Sequence, residues 1–164
     1  MIKLTPDIPN DALRWRNDPK IYQWCRQWRP ITEREHKEWL EDIHHDDTIN
    51  MFGIENKGRA VIGVCGFTSI DTHNRNAEFS LYIRPEDQGE GYGKEALTAL
   101  LDTGFKQYGF VKIWGEVFEG NPAKDMFKKL GFVTEGILKK SYFRNGNWID
   151  SYLIAHFGEG YGTH

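Results

Sequence analysis

A glycine-rich stretch carries the clearest chemical signal in this sequence. It consists of Gln88, Gly89, Glu90, Gly91, Tyr92, Gly93 and Lys94. An apolar-alternating segment precedes it at residues 77–83, and a segment with helical periodicity follows from Glu95. In a strand–loop–helix unit the backbone N–H groups and the helix N-terminus point at one place, which attracts an anion, most often a phosphate. Because glycine leaves the backbone accessible and adopts positive φ at little cost, we expect this stretch to bind phosphate.

Two familiar phosphate-binding motifs do not explain this loop. Residues 91–96 match G-x-G-x-x-A, but in the dinucleotide fingerprint the first glycine follows its strand almost directly. Here the polar residues 84–87 intervene, and Glu116, the acidic residue available for a ribose, falls inside a predicted strand. The chain after Glu116 is also too short to complete a dinucleotide domain. The Walker A pattern does not occur in the sequence.

A carboxylate on the preceding strand is a candidate proton acceptor. The two-residue period of a strand places Glu78, Ser80 and Tyr82 on one face and the apolar side chains on the other. If the polar face lines a cleft, Glu78 can accept a proton directly or through water, with a pKa raised by partial burial. The alternative is a solvated glutamate on an exposed strand face.

An aromatic and basic segment near the N-terminus is a candidate acceptor site. Trp24, Arg26, Trp28 and Arg29 are of the types that wall a pocket, and the arginines suit an anionic feature such as a phosphate or carboxylate. The alternative is surface charge with aromatic packing. The segment His44-His45-Asp46-Asp47 resembles a metal site only in composition, so we predict no metal.

Length and composition limit the classes of protein that fit. At 164 residues the chain is predicted to form one domain over residues 1–164, with a mobile glycine-rich tail from residue 158. A net charge of −3 argues against nucleic-acid binding. No window approaches the ~18 apolar residues of a membrane span, and no signal-peptide segment occurs. With only two cysteines, Cys25 and Cys65, we expect a cytoplasmic protein without disulfides.

The elements that must position these residues follow from periodicity and capping signals. Thr32 and Glu35 form a capping box ahead of a helix, and residues 49–54, 60–67 and 77–83 are predicted to form an antiparallel meander. After the glycine loop we expect a helix, a strand at 112–118, a helix capped by Asn121, and two strands at 132–142 and 148–157. The predicted class is α/β (α+β mixed), with a mostly antiparallel mixed sheet of about seven strands and about four helices.

The order of these motifs resembles the GNAT superfamily of acyl-CoA N-acyltransferases. Residues 88–93 are similar to its Q/R-x-x-G-x-G/A signature, and residues 121–136 are similar to its later CoA-contacting helix and the strand after it. Residues 13–19, 30–32 and 36–40 are similar to the branch of ribosomal-protein N-terminal acetyltransferases, and also to amino-sugar acetyltransferases. The resemblance covers nearly the whole chain.

The resemblance implies an acetyl-CoA site and a mechanism of direct transfer. The glycine-loop amides would bind the pyrophosphate, backbone N–H groups of Leu81, Tyr82 and Ile83 would hold the pantetheine arm, and Asn121 would also contact that arm. Phe127 stands where the family carries a tyrosine that acts as general acid, and phenylalanine cannot donate a proton. The thiolate then leaves unaided, or Tyr142, Tyr82 or Ser141 serves instead. The family often uses a carboxylate at the position of Glu78.

The sequence therefore predicts an N-acetyltransferase that moves the acetyl group of acetyl-CoA to a primary amine. A protein N-terminus, a small amine and a nucleotide-linked amino sugar remain open as acceptors. The alternative from another class is an acyl-CoA-binding sensor without chemistry. The chain is also a possible homodimer.

Overall fold

The computed structural model describes residues 1–159, and it contains five α-helices and a seven-stranded sheet. The helices are α1 (Ala12–Arg16), α2 (Pro19–Tyr22), α3 (Glu33–His45), α4 (Tyr92–Lys106) and α5 (Lys124–Lys129), with a short 3-10 helix at Pro85–Asp87. The strands are β1 (Lys3–Thr5), β2 (Asn50–Glu55), β3 (Val61–Asp71), β4 (Asn76–Ile83), β5 (Lys112–Phe118), β6 (Val133–Arg144) and β7 (Asn147–Phe157). The predicted fold class is confirmed, with α1 and α2 as very short helices.

The sheet is antiparallel except at one junction. Its strand order is β1-β2-β3-β4-β5-β7-β6, and only β4 and β5 run parallel. Their pairing covers Asn76–Glu78 and Lys112–Trp114 and then stops, so the two strands separate beyond this point. The Phe79 ring lies just past the last pair, where a Cβ on Gly115 would come within 2.5 Å of it. The Phe79 ring thus fills the space that a side chain at position 115 would occupy, which explains the glycine there. Beyond the last pair, an opening lies between β4 and β5.

Apolar clusters cover both faces of the sheet. Val64 and Cys65 are consecutive in β3 and fully buried, yet they belong to different clusters, so the clusters lie on opposite faces. One cluster includes Leu97 and Leu100 of α4, both without exposed area, and the other includes Trp15 of α1. Full burial of one such leucine contributes about 1.5–3 kcal/mol, so α4 is firmly fixed on the sheet.

Local sequence signals account for several element boundaries. Thr32 and Glu35 form the predicted capping box at the start of α3. The β6–β7 hairpin turns through Asn145 and Gly146, both with positive φ, as the Asn-Gly pair predicts. The Asn121 side chain accepts from the Ala123 amide at 2.9 Å, but the regular part of α5 begins later, at Lys124. Asn121 therefore caps a turn that leads into the helix.

Gly158, the first residue of the predicted tail, follows directly after β7. The amide of Gly158 donates to the carbonyl of Val111 at 3.1 Å, so the chain is still hydrogen-bonded to the sheet there. Residues 160–164, the rest of the predicted tail, lie outside the described residues. Within residues 1–159, no helix is long and apolar enough to span a membrane.

Candidate active site

A cleft of about 570 Å³ lies where β4 and β5 separate. Its wall contains side chains from the aromatic N-terminal segment, from β4 and β5, and from the start of α5. The lining includes eight of the residues predicted for the site: Trp24, Arg26, Glu78, Leu81, Tyr82, Gln88, Asn121 and Phe127. The separation of the two strands thus brings residues predicted for the CoA site and for the acceptor site to one opening, while Ile83 and residues 89–94 of the predicted CoA site are not part of its lining.

The glycine loop has the backbone geometry of an anion-binding site. Gly89 and Gly91 both have φ +86°, and a Cβ added to either residue would have nothing within 4 Å. The amides of residues 89–94 have no acceptor in the described part of the chain, and the first hydrogen bond of α4 runs from Glu95 N to Gly91 O at 3.2 Å. These N–H groups and the N-terminus of a 15-residue helix are therefore available to a phosphate.

The helix after the loop begins earlier than the sequence predicted. Gly91 is the N-cap residue of α4, so Tyr92, Gly93 and Lys94 form its first turn instead of a loop. At the loop entrance, Gln88 donates from its side-chain amide to the carbonyl of Ile83 at 2.9 Å. This bond ties the loop to the end of β4 and fixes it beside the cleft.

Phe127, at the position of the expected tyrosine, serves as a packing residue. Its ring lies 5.4 Å from the ring of Phe79 and 5.8 Å from that of Phe132. The side chain is buried and belongs to the core under α4. It provides an apolar wall to the cleft and no proton.

Two buried carboxylates meet one arginine in the cleft. Glu78 on β4 and Glu116 on β5 both form ion pairs with the guanidinium group of Arg26, and the contact to Glu116 measures 3.4 Å. The side chains of Glu78 and Glu116 are 8% and 7% exposed, whereas that of Arg26 is 52% exposed. An exposed cation thus reaches inward to two carboxylates that have little access to water.

The environment of Glu78 raises its pKa above the ordinary glutamate value. Burial is the largest cause, because it disfavours the charged form, and the negative charge of Glu116 acts in the same direction. Arg26 and a hydrogen bond from Thr68 act in the opposite direction. A carboxylate with a raised pKa is a stronger proton acceptor than a solvated one.

Sequence reasoning missed the second carboxylate. Glu116 was considered only as a possible ribose ligand, yet its side chain accepts a hydrogen bond from the Ser151 hydroxyl at 2.6 Å and pairs with Arg26. Its place between Gly115 and Val117 in an otherwise apolar strand segment provided a usable signal, since a charged side chain that such a strand buries requires a partner. The identity of that partner, 90 residues away, had no signal in the sequence.

The arginines of the N-terminal segment both form ion pairs with glutamates. Arg26 is held by Glu78 and Glu116, and Arg29 forms an ion pair with Glu35, so both positive charges are already compensated. Trp28 and Arg29 also lie outside the cleft lining. Trp24 and Arg26 line the cleft, and both arginines face carboxylates, so an anionic acceptor feature at these residues stays a prediction.

Tyr142 interacts with Glu116 and lies outside the cleft lining. Its ring is 4.5 Å from that of Phe118, and its pKa is raised by burial and by its interaction with Glu116. Arg144, also at the end of β6, donates to the carbonyl of Arg26 at 3.1 Å and lies 5.0 Å from the Trp28 ring. The hairpin end therefore holds the backbone of the Arg26 segment against the sheet.

His36 and Cys25 also line the cleft. Burial lowers the pKa of His36, and its ring stacks on Trp39 at 5.6 Å, as expected of a packed histidine. Burial raises the pKa of the Cys25 thiol, which keeps it protonated and a poor nucleophile. Among residues 1–159, no group of three or more histidine, cysteine, aspartate or glutamate side chains is arranged to hold a metal ion.

Comparisons with known proteins agree with this geometry. The spermidine N(1)-acetyltransferase of Vibrio cholerae serotype O1 is 34% identical over 116 residues, which cover 68% of this chain and 67% of that protein. The solved structure of spermidine N-acetyltransferase from Vibrio cholerae in complex with CoA and spermine has a TM-score of 0.86 and 27% identity, covering 95% of both chains. A dodecameric structure of the spermidine N-acetyltransferase from this organism has a TM-score of 0.79 and 25% identity, covering 95% of this chain and 93% of the other.

These similarities confirm the predicted enzyme class and co-substrate: the protein is an N-acetyltransferase that uses acetyl-CoA. The family described as "Acetyltransferase (GNAT) domain" matches residues 2–133, which include the glycine loop, both carboxylates of the cleft and α5. With a match over most of its length and a cleft at the separation of β4 and β5, the chain belongs to the GNAT acetyltransferase family.

Proposed function

We propose that this enzyme transfers the acetyl group of acetyl-CoA to a primary amine of a small cationic acceptor of the polyamine class. The observation that carries this proposal is the pair of buried carboxylates, Glu78 and Glu116, which already hold one cation in the cleft. Two carboxylates within reach of one point favour a positively charged group there. The similar proteins of Vibrio cholerae are named for spermidine, and one was solved with spermine and CoA.

We assign the binding of the CoA pyrophosphate to residues 88–94. Support comes from the amides without acceptors and from the positive φ of Gly89 and Gly91, which leave the backbone open to a phosphate. Lys94, in the first turn of α4, adds a positive charge near that helix end. We assign the pantetheine arm to those backbone N–H groups of Leu81–Ile83 that point away from β3, and to Asn121 and Phe127 on the cleft wall.

We assign the proton acceptor to Glu78. The acceptor enters as an ammonium ion, and the Glu78 carboxylate takes one of its protons. The nitrogen lone pair then forms a bond to the thioester carbon and the carbon–sulfur bond breaks. The nitrogen, now positively charged, gives up its second proton through water, and the thiolate takes up a proton, so that an amide, free CoA thiol and the proton on Glu78 remain. The raised pKa of Glu78 suits this transfer, because the best catalytic bases have pKa values close to the working pH.

We assign Tyr142 to the support of Glu116, although the sequence suggested it as a proton donor. Its ring is packed on Phe118, it lies outside the cleft lining, and its raised pKa makes its hydroxyl a weaker acid. A stable thiolate requires little help to leave.

The substitution Tyr142→Phe should therefore leave kcat within about threefold of the original, since a general acid supplies about 100-fold or more. A 100-fold loss of kcat in Tyr142→Phe would show that Tyr142 donates a proton to the leaving thiolate.

Acceptor screening tests the proposed function directly. Release of free thiol from acetyl-CoA is measured with spermidine, spermine and a simple diamine, with peptides that carry free N-termini, and with a nucleotide-linked amino sugar. We expect turnover with the polyamines and little with the other classes. Turnover confined to peptides or to the amino sugar would overturn the polyamine assignment.

We further propose that the chain self-associates through the exposed face of the β6–β7 hairpin. β6 is an edge strand of the sheet, and large apolar side chains of the hairpin face solvent. They are Val133, Ile137, Leu138, Phe143 and Trp148. An apolar patch on an open edge favours association with another chain, and one similar enzyme is described as a dodecamer. The homodimer expected from the sequence is the simplest such assembly.

A further inference from the structure

We propose that Arg26 occupies, in the free enzyme, the place that the ammonium group of the acceptor takes during catalysis. This inference rests on the proposed function, because it assigns the same two carboxylates to the acceptor. Arg26 would then determine specificity, since any acceptor must replace a cation at Glu78 and Glu116.

The exposures of the three side chains support an exchange. Glu78 and Glu116 belong to adjacent strands and are nearly inaccessible, so they are fixed parts of the cleft floor. Arg26 comes from residues 23–31, which form neither helix nor strand, and half of its side chain faces solvent. The carboxylates are therefore rigid, and the guanidinium group is the partner that can leave.

Charge balance determines which molecules can replace Arg26. Without a cation, two nearby carboxylates of low exposure would repel each other in surroundings of low dielectric constant. An ammonium ion restores the positive charge when the guanidinium group leaves, but a neutral molecule does not. The exchange thus favours protonated amines over neutral hydrogen-bonding molecules of similar size.

Contacts of Arg144 limit the movement to the side chain of Arg26. The Arg144 guanidinium group donates to the carbonyl of Arg26 at 3.1 Å and lies over the rings of Trp28 and Tyr142 at 5.0 and 5.2 Å. These contacts hold the backbone of the segment on the β6–β7 hairpin. Rotation of the Arg26 side chain toward solvent opens the carboxylates without unfolding the segment.

The same exchange assists the release of product. Acetylation converts the reacting nitrogen into an amide, which carries no charge and cannot neutralise the carboxylates. Once Glu78 has returned its proton to solvent, the guanidinium group of Arg26 again becomes the preferred partner. The arginine thereby displaces the acetylated nitrogen from the site.

The substitution Arg26→Ala tests the exchange, with methylguanidinium as a probe. KM and kcat for spermidine are measured in the original enzyme, in Arg26→Ala and in Arg34→Ala. Arg34 is a suitable control because its side chain is 84% exposed and, among residues 1–159, forms an ion pair only with Glu38 on the same helix. We expect the KM of Arg26→Ala for spermidine to fall by about tenfold, since the amine no longer competes with a charge-assisted contact. Arg34→Ala should match the original enzyme.

Methylguanidinium should restore the competition only where the arginine is missing. In Arg26→Ala we expect it to inhibit competitively against spermidine and not against acetyl-CoA, with no effect on the other two proteins at the same concentration. A rise in KM for Arg26→Ala, or equal inhibition of all three proteins, would overturn the exchange. Arg26→Lys, which keeps the charge on a different head group, should show a KM between those of the original and Arg26→Ala, and it serves if the alanine variant does not fold.

Calorimetry separates this inference from the acceptor assignment. Binding of methylguanidinium to each protein is measured without any amine or acetyl-CoA. Selective binding to Arg26→Ala combined with no acetylation of spermidine would support the cation site and overturn the polyamine assignment. No selective binding would overturn the exchange, whatever the acceptor.

Discussion

Glu78 combines two properties that rarely occur together in a strand residue: it is buried, and it carries a carboxylate. Its raised pKa follows from burial and from the nearby charge of Glu116, and both causes strengthen it as a base. Arg26 limits this effect while it stays in contact. The chemistry that we propose thus depends on the balance of three charged groups.

Replacement of the carboxylate tests the proton acceptor. Glu78→Gln keeps the shape of the side chain but removes its basicity, so we expect kcat to fall by about 100-fold to 10,000-fold. The affinity for CoA, measured by calorimetry, should remain unchanged because the glycine loop is not altered. Turnover at the original rate would remove Glu78 from the mechanism.

The pH dependence of activity should reflect the raised pKa of Glu78. The deprotonated form is the active one, so activity is present above the pKa and is lost as the pH falls through it. Because burial raises that pKa, the acidic limb of kcat/KM should lie above the ordinary glutamate value of 4.5. A profile whose acidic limb lies at or below that value would contradict the assignment.

Glu116→Gln should shift this limb in a defined direction. The charge of Glu116 raises the pKa of Glu78, so its removal should move the acidic limb of kcat/KM to lower pH. Glu119→Gln, which changes a residue outside the cleft lining, is the control. An acidic limb that moves upward would show that Glu116 does not interact with Glu78 through its charge.

At the scale of elements, most of the fold could be predicted, because the signals are local. The capping box at Thr32, the Asn145-Gly146 turn and the two-residue period of β2 to β4 each lie within a few residues. The start of α4 at Tyr92 was missed because glycine is a poor helix former. In the structure, α4 includes Gly93 in its first turn. A Cβ added to Gly93 would lie 3.8 Å from the Met126 side chain, so this glycine lies close to α5.

The site was less predictable, because its contacts join distant parts of the chain. The glycine loop is a local motif, so its place between β4 and a helix could be predicted from the sequence, while its binding of CoA stays a prediction. In contrast, Arg26 lies 52 residues from Glu78 and 90 from Glu116, and no periodicity or motif connects them. Which side chains face each other across the separation of β4 and β5 follows only from the register of the assembled sheet.

Substitution at the N-cap of α4 tests the loop as an element. Gly91→Val places a β-branched side chain at φ +86°, which costs about 1–2 kcal/mol, and directs it into open space where a phosphate would approach. We expect the Kd for CoA to rise by at least about 100-fold.

Gly109→Val is the matched control at the other end of the same helix. Gly109 has φ +67°, and a Cβ added to it would lie 3.6 Å from the Arg75 side chain, which is an ordinary contact. A valine at this residue should therefore cost about as much folding stability as a valine at Gly91. CoA affinity should be unaffected, because this residue is far from the loop along α4. Equal loss of CoA affinity in both variants would show that general destabilisation, and not the loop, is responsible.

At the scale of the whole molecule, the proposed self-association depends on the exposed β6–β7 hairpin. Trp148 is 61% exposed and its ring lies 5.1 Å from that of Phe143, so together they form an apolar projection at the hairpin end.

Replacement of Trp148 by glutamate puts a charge into the proposed interface. We expect a smaller assembly by light scattering, with CoA affinity retained. Phe157→Glu, an exposed apolar residue at the opposite end of β7, provides the control. If the unsubstituted protein is already monomeric by light scattering, the proposed interface does not exist.

The brief parallel pairing of β4 and β5 has a mechanical consequence. Three residue pairs join two otherwise complete antiparallel blocks, β1 to β4 and β5 to β7, and the Trp114 indole adds a hydrogen bond to Asn76 at 3.2 Å. The chain passes between the blocks near Gly109, after α4. Cleavage there should yield two fragments, each with its own continuous ladder. If CoA spans the opening between the blocks, it should promote their reassembly, as a bound ligand stabilises the state that binds it.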